Sequence, residues 1–139
     1  MPVLTRWFIK TSLVYFVAAL VLGVAQTAQA PLRLAPGLAV AGPVYVHLLV
    51  VGWITQMIFG VAYWMFPKYT MAEPRGSDRL VIVAYLGLNA GLLLRVVAEP
   101  ATILHPDAGF GPALALAAVL QWLGGMAFVV NTWARVKER

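Results

Sequence analysis

Residues 43–67, PVYVHLLVVGWITQMIFGVAYWMFP, form an uncharged, apolar run of the length that crosses a bilayer as a helix. The run contains His47, about one turn from its beginning. A histidine inside a membrane span is costly when it faces lipid, so it normally faces protein, water or a cofactor. The sequence therefore predicts a transmembrane helix with one polar group near an end.

Three further apolar runs accompany this one, so that the predicted helices lie near 9–29, 43–66, 80–98 and 112–134. Hydrophobic residues make up 62% of the 139 positions and charged residues only 11%, which excludes an ordinary soluble domain. We expect an all-α, integral membrane four-helix bundle that forms a single transmembrane domain. The chain has no cysteine, which excludes disulfides, thiolate metal sites and covalently attached haem.

Nine of the ten basic residues lie at or just outside the ends of the apolar runs. Two lie at the N-terminus, one in link 30–42, three in 67–79, none in 99–112 and three in the tail 135–139. The positive-inside rule then places both termini in the cytoplasm, in a multi-pass protein of the inner membrane. The loop cations that set the orientation in the membrane thus account for the net charge of +5. Nucleic acid is therefore not an expected partner. Trp7, Trp64 and Trp133 are expected in the aromatic belt at the cytoplasmic ends of their helices.

Residues 1–30 resemble a signal peptide in part, because basic residues precede an apolar stretch and Ala28–Ala30 forms a small-residue cleavage motif. Pro31 would occupy the first position after such a cut. The apolar stretch is also long enough to span the membrane. We therefore expect this segment to be a retained helix.

An α-helix turns by 100° per residue, which predicts a mainly aliphatic face around His47. Val50, Val51, Ile54 and Ile58 fall on its face, and Gly52, Gln56 and Gly60 form a small-residue row on roughly the opposite side. That row predicts close contact with another helix and a hydrogen bond from Gln56. Two interpretations of His47 remain open: an interhelical hydrogen bond, or ligation of a metal or haem iron on a dry, aliphatic face.

The third helix carries a second polar feature at the same depth. Gly87, Gly91, Arg95 and Glu99 are spaced four residues apart and are predicted to lie along one stripe. Arg95 either pairs with Glu99 or extends to the interface, or its guanidinium holds an anionic group such as a haem propionate.

The remaining polar residues have less specific interpretations. Asn89, Gln121 and Asn131 are typical of interhelical packing contacts, Ser77 or Asp78 is a candidate N-cap, and link 99–112 is predicted to form tight turns. His105 in that link is either a solvated turn residue or a partner for His47 across the outer surface.

The segment His47-Leu-Leu-Val-Val-Gly-Trp53, with Ile58–Tyr63 and Phe66-Pro67 after it, resembles the second transmembrane helix of haem-copper oxidase subunit I and its nitric oxide reductase-like and short relatives. The segment Gly87–Arg95 is compatible with the same family. The resemblance covers about 25 residues well. It implies that His47 ligates a low-spin b-type haem with Arg95 near the propionates.

The chain departs from that family in having two histidines and four helices, too few for an oxygen-reducing centre. It is not expected to be an enzyme alone. A second haem ligand would come from His105, a symmetry-related His47 or a partner subunit, or would be absent. We expect a b-haem-binding or accessory electron-transfer subunit whose partners are membrane lipids and other membrane subunits or a second copy. The alternatives are a cofactor-free assembly module and a quinone or lipid site near Arg95.

Overall fold

The computed structural model describes residues 1–71 and 74–136, and four long helices account for most of them. They are α1 (Val3–Leu32), α2 (Gly42–Met65), α3 (Asp78–Leu104) and α4 (Gly111–Trp133). Single 3-10 turns at Pro36–Leu38 and Pro106–Ala108 lie in the links after α1 and α3. Each long helix is apolar enough to span a bilayer. The predicted all-α, four-helix membrane fold is confirmed.

Two helices extend beyond their predicted ends. α1 begins at Val3, continues through Pro31 and ends where Arg33 takes the left-handed conformation with φ of 51°. α3 continues through Pro100 to Leu104, so the prediction of tight turns from residue 99 was wrong for the first part of that link. Proline removes one N–H donor, and an apolar environment otherwise favours continued helix because it satisfies the remaining backbone groups.

The helices run alternately up and down. Phe8 near the start of α1 packs edge-on against Phe59 of α2 and Tyr85 of α3, and Phe59 stacks on Phe128 of α4 with ring centroids 3.7 Å apart. The start of α1 and the end of α4 therefore lie at one end of the bundle, which we call the terminal end. His47 lies near the opposite end, which we call the His47 end.

α2 packs against α1 through its glycines, as the small-residue row predicted. A Cβ atom added to Gly52 would lie 2.8 Å from Tyr15 Cβ, and one added to Gly60 would lie 2.9 Å from Phe8 Cβ. Gln56, between these two glycines, is fully buried. The absence of side chains at these two positions allows the backbones to approach closely, which stabilises helix pairs in lipid through van der Waals contact.

α3 packs against α4 through a second pair of glycines. A Cβ atom on Gly87 would lie 2.8 Å from Leu120 O, and one on Gly91 would lie 2.7 Å from Ala117 O. Arg95, in contrast, bonds to α2. Along the predicted stripe, the two glycines therefore contact α4 and Arg95 contacts α2. Four residues of an α-helix advance by about 40° beyond a full turn, so the stripe winds from α4 toward α2.

The terminal end is closed by polar contacts between the link 66–77 and the helices. Ser77 is the N-cap residue of α3 but makes no side-chain cap bond, and the Asp78 carboxylate instead accepts a hydrogen bond from the Tyr63 hydroxyl. Asn131 Nδ2 donates to Arg75 O at 3.1 Å, in agreement with its predicted packing role. These bonds fix the link between α2 and α3 against α4.

Arg135 was counted among the basic residues of an exposed tail, and the structure places it differently. Its side chain is only 1% exposed. It donates to Tyr63 O at 3.1 Å, Phe66 O at 2.8 Å and Pro67 O at 3.0 Å, and so satisfies carbonyls at the end of α2 that have no partner within the helix. Lys137 and Arg139, the other cations of the predicted tail, lie outside the described residues.

Candidate functional site

α2 changes its winding immediately after His47. Gly42–His47 and Gln56–Met65 are α-helical, whereas Leu48–Thr55 is a π-helix, in which hydrogen bonds join residues five apart. Buried positions recur every four residues along α2, at Val44, Leu48, Gly52, Gln56 and Gly60. A π-helical turn contains more residues than the 3.6 of an α-helical turn, so residues four apart stay on one side of the helix. π-helical turns are frequent at functional sites, and here the turn adjoins the membrane histidine.

His47 is held by its own helix on one side of its ring. Nδ1 lies 2.8 Å from the carbonyl oxygen of Pro43, one turn earlier in α2. A carbonyl oxygen only accepts hydrogen bonds, so Nδ1 carries the proton. The Nε2 atom of the neutral ring therefore presents a lone pair. Imidazoles that ligate metals are commonly oriented by this kind of bond from the other ring nitrogen.

Arg95 of α3 occupies the position in front of that lone pair. Its Nη1 atom lies 2.8 Å from His47 Nε2. Because a guanidinium group only donates hydrogen bonds, this contact independently requires Nε2 to be an acceptor. Both side chains are largely covered by the bundle, and the equal depth predicted for His47 and Arg95 is confirmed by their direct contact.

Glu99 lies on the same side of α3, one turn beyond Arg95. Its Oε2 atom is 3.7 Å from Arg95 Nε and 3.9 Å from His47 Nδ1. The predicted pair of Arg95 with Glu99 is thus present as an ion pair, but both distances exceed those of a hydrogen bond. Arg95 Nε and Glu99 Oε2 are both buried without a hydrogen-bond partner. We call His47, Arg95 and Glu99 the histidine cluster.

The predicted surroundings of His47 require correction. His47 and Gln56 were assigned to opposite sides of α2, yet both bond to α3, His47 through Arg95 and Gln56 through Asn89. The physical reason is the π-helical stretch between them, because a projection at 100° per residue does not apply to its wider turns.

The predicted aliphatic face around His47 is also changed by the π-helical stretch. Val51, predicted to share the face of His47, is half-buried and packs against the buried core around Phe8. The exposed β-branched residues of α2 are Val46, Val50, Ile54 and Ile58, which recur every four residues. His47 lies beside this aliphatic row, next to α3.

His105 does not join the histidine cluster through any hydrogen bond or ion pair that the structure gives for residues 1–71 and 74–136. It follows the last residue of α3, its side chain is exposed, and its backbone N–H bonds to Ala101 O at 2.9 Å. This exposed position agrees with the interpretation of His105 as a solvated turn residue. In the described part of the chain, no three His, Cys, Asp or Glu side chains gather as a metal site would require.

A polar network lies deeper in the bundle than the histidine cluster. Asn89 Nδ2 donates to Gln56 Oε1 at 3.1 Å, and the Tyr15 hydroxyl donates to Asn89 Oδ1 at 2.9 Å. The packing role predicted for Asn89 and the interhelical bond predicted for Gln56 are confirmed. Tyr15 was not singled out from the sequence, although a tyrosine in mid-span is itself a signal of an internal partner.

Comparisons of the chain with protein-family profiles, curated proteins and solved structures found no match. The assignment of a function therefore depends on the chemistry of the residues described above.

Proposed function

We propose that this multi-pass membrane protein is a b-haem-binding or accessory electron-transfer subunit of a membrane redox complex, related to the amino-terminal part of haem-copper oxidase subunit I. The observation that carries the proposal is the orientation of His47. Its Nδ1 proton is committed to Pro43 O at 2.8 Å, which leaves Nε2 as a lone-pair donor near one end of a membrane span. Neutral imidazole fixed in this tautomer is a suitable axial ligand for haem iron.

The residues around His47 fit such a group. Arg95 Nε and Glu99 Oε2 are buried without hydrogen-bond partners, so the cluster has unused bonding capacity. Arg95 is a donor that can pair with a carboxylate, and in doing so its guanidinium would release His47 Nε2. The aliphatic row at Val46, Val50 and Ile54 offers an apolar surface beside the imidazole. A b-type haem held here would supply one-electron transfer.

The second axial ligand has three possible sources. His105 belongs to the link at the His47 end, but its side chain is exposed and would have to fold over the bundle. The other sources are His47 of a second copy and a histidine of a different subunit. Either would make the site complete only in an oligomer.

A cofactor-free assembly module is a second candidate, and one observation favours it. Both ring nitrogens of His47 have partners within the chain, Pro43 O and Arg95 Nη1, each at 2.8 Å. In that function the histidine cluster ties α2 to α3, and the bundle supports a larger complex through its exposed helix faces.

Optical spectroscopy separates the two candidates. The full-length protein is produced with haem supplied, both alone and with its native membrane partners. We expect a reduced-minus-oxidised band typical of b-type haem in the parent protein. His47→Gln keeps an acceptor for Arg95 but cannot ligate the iron, so we expect it to remain folded and lose the band. Arg95→Gln should lower haem occupancy or shift the potential.

His105→Ala is the matched control, because it removes the other histidine. Retention of the band in this variant shows that His105 is not required as a ligand, whereas loss of the band assigns the second ligand to His105. A colourless, folded parent protein under both conditions would contradict the haem proposal and leave the assembly module.

A further inference from the structure

A recess with positively charged walls lies at the terminal end of the bundle. It has a volume of about 220 Å³ and is formed by the end of α2, residues 66–68 and 74–75 of the following link, and the chain just after α4. Lys68, Arg75 and Arg135 line it, and Trp64 and Phe66 form its apolar side. We call it the basic recess. Lys68 and Arg75 belong to the link between α2 and α3, and the fold brings Arg135 from beyond α4 against them.

In the described part of the chain, Arg135 has polar partners but forms no ion pair. Its donors are used on neutral carbonyl oxygens of Tyr63, Phe66 and Pro67. Within residues 1–71 and 74–136, the ion pairs that the structure gives are those of Glu99 with Arg95 and His47, far along the chain from the recess. A buried cation without a counter-charge is costly, because carbonyl dipoles replace only part of its hydration.

Arg75 adds to this cost. Burial lowers the pKa of the Arg135 guanidinium, and the nearby positive charge of Arg75 lowers that pKa further, while Tyr63 acts in the opposite direction. Folding therefore places two arginine side chains close enough to repel each other. An anion in the recess would offset this repulsion. It would pair directly with Arg75 and Lys68, whose side chains reach the surface, while the buried Arg135 would attract it through its charge.

We propose that the basic recess binds the phosphate group of an anionic phospholipid. Arginine forks match the geometry of phosphate oxygens, and Lys68 is exposed at the rim, where it can pair with the same group. The recess lies at the end of a membrane span, and Trp64 is exposed there in the manner of residues at the level of lipid headgroups. Trp64 and Phe66 then contact the glycerol and the first part of an acyl chain, which a free phosphate ion lacks.

The location also agrees with the lipid distribution expected from the sequence. The positive-inside rule predicts that the terminal end faces the cytoplasm, and the cytoplasmic leaflet is the one with negative surface potential. This proposal does not depend on haem binding, since the basic recess and the histidine cluster lie at opposite ends of the bundle.

Native mass spectrometry of the full-length protein in detergent tests the proposal by counting bound lipids. We expect phosphatidylglycerol to bind at least about fivefold more tightly than phosphatidylcholine. Arg75→Gln and Lys68→Gln should each weaken phosphatidylglycerol binding by about fivefold. Arg33→Gln is the matched control, because it removes one positive charge from the link after α1, at the His47 end. Arg135 is left intact because it also holds the end of α2.

Three outcomes would overturn the proposal. Equal weakening by Arg33→Gln would show that net charge alone attracts the lipid. Inorganic phosphate that displaces the lipid at equal concentration would identify a free anion as the ligand. Equal binding of phosphatidylglycerol and phosphatidylcholine by the parent protein would show that the recess does not hold a lipid phosphate through its charge.

Discussion

The side-chain amides of Gln56 and Asn89 face each other across the contact between α2 and α3. Asn89 Nδ2 lies 3.1 Å from Gln56 Oε1, and Gln56 Nε2 lies 3.4 Å from Asn89 Oδ1. The same Asn89 oxygen accepts the hydroxyl of Tyr15 at 2.9 Å. Asn89 therefore joins α1, α2 and α3 through one side chain.

Asn89→Leu should lower the free energy of unfolding by about 1–3 kcal/mol, because the buried Gln56 amide loses its partner. Tyr15→Phe removes one bond of the same network and should cost only about 0.6 kcal/mol, the average for interhelical bonds in membranes. Unfolding in mixed micelles of increasing SDS content, followed by circular dichroism, measures both. The double variant Gln56→Leu/Asn89→Leu should recover part of the loss; if it is less stable than Asn89→Leu alone, the unpaired amide is not the cause.

The adjacent glycines Gly124 and Gly125 of α4 provide a matched pair of substitutions. A Cβ atom on Gly124 would lie 2.9 Å from Leu88 N and 3.0 Å from Ala84 O, whereas one on Gly125 would meet nothing within 4 Å. Gly124→Ala should therefore destabilise the protein by about 1–3 kcal/mol through separation of α3 and α4. Gly125→Ala should be neutral or stabilising by about 0.5–1 kcal/mol, because alanine favours the helix.

The same SDS titration compares these two variants. Equal stabilities would mean that α3 and α4 do not approach as closely as the structure indicates.

Arg135→Leu should destabilise the terminal end, because three carbonyl oxygens at the end of α2 would lose their donors. We expect a loss of about 1–3 kcal/mol in the free energy of unfolding. Arg79→Leu removes the same charge from an exposed position in the first turn of α3 and should change stability by less than about 0.5 kcal/mol. Hydrogen exchange of residues 60–66 provides a local measurement: exchange there should accelerate in Arg135→Leu and stay unchanged in Arg79→Leu.

Both termini are predicted to be cytoplasmic, because eight of the ten basic residues cluster at one set of helix ends. A fusion of a reporter active only in the periplasm, placed after Arg139, should be inactive, and the same reporter inserted after Gly37 should be active. If the first fusion is active and the second is inactive, the predicted orientation is wrong and the termini lie in the periplasm.

The number and type of helices could be predicted because apolar runs of span length carry that information directly. The contact of α1 with Gly52 and Gly60 was also predictable, since small residues in a four-residue repeat indicate a close helix pair. The ends of the helices were harder to predict from the sequence. The extension of α3 through Pro100 depends on the apolar environment, which penalises unpaired backbone groups more than a proline does.

The histidine cluster could be predicted in part. The equal depth of His47 and Arg95 in their membrane spans predicted that they lie at the same level. The four-residue spacing of Arg95 and Glu99 on one helix predicted their pair. The side of α2 that carries His47 was not predictable, because the pattern contains no mark of a change from α-helical to π-helical winding. The burial of Arg135 was missed for a different reason. A basic residue after a span is usually a loop cation, and its acceptors at Tyr63, Pro67 and Arg75 come together only in the folded chain.

The π-helical stretch Leu48–Thr55 also makes α2 tolerant to a change in length. A π-helix has more residues per turn than an α-helix, so it places more residues between the two packed α-helical segments on either side of it. Deletion of one residue within the stretch would be absorbed by rewinding toward α-helical geometry, with Val44 and Gly60 kept in place. A deletion after Gln56, where the helix is already α-helical, would instead rotate everything beyond it by about 100°. Homologous chains that differ by one residue here would therefore conserve the contacts on both sides of the gap.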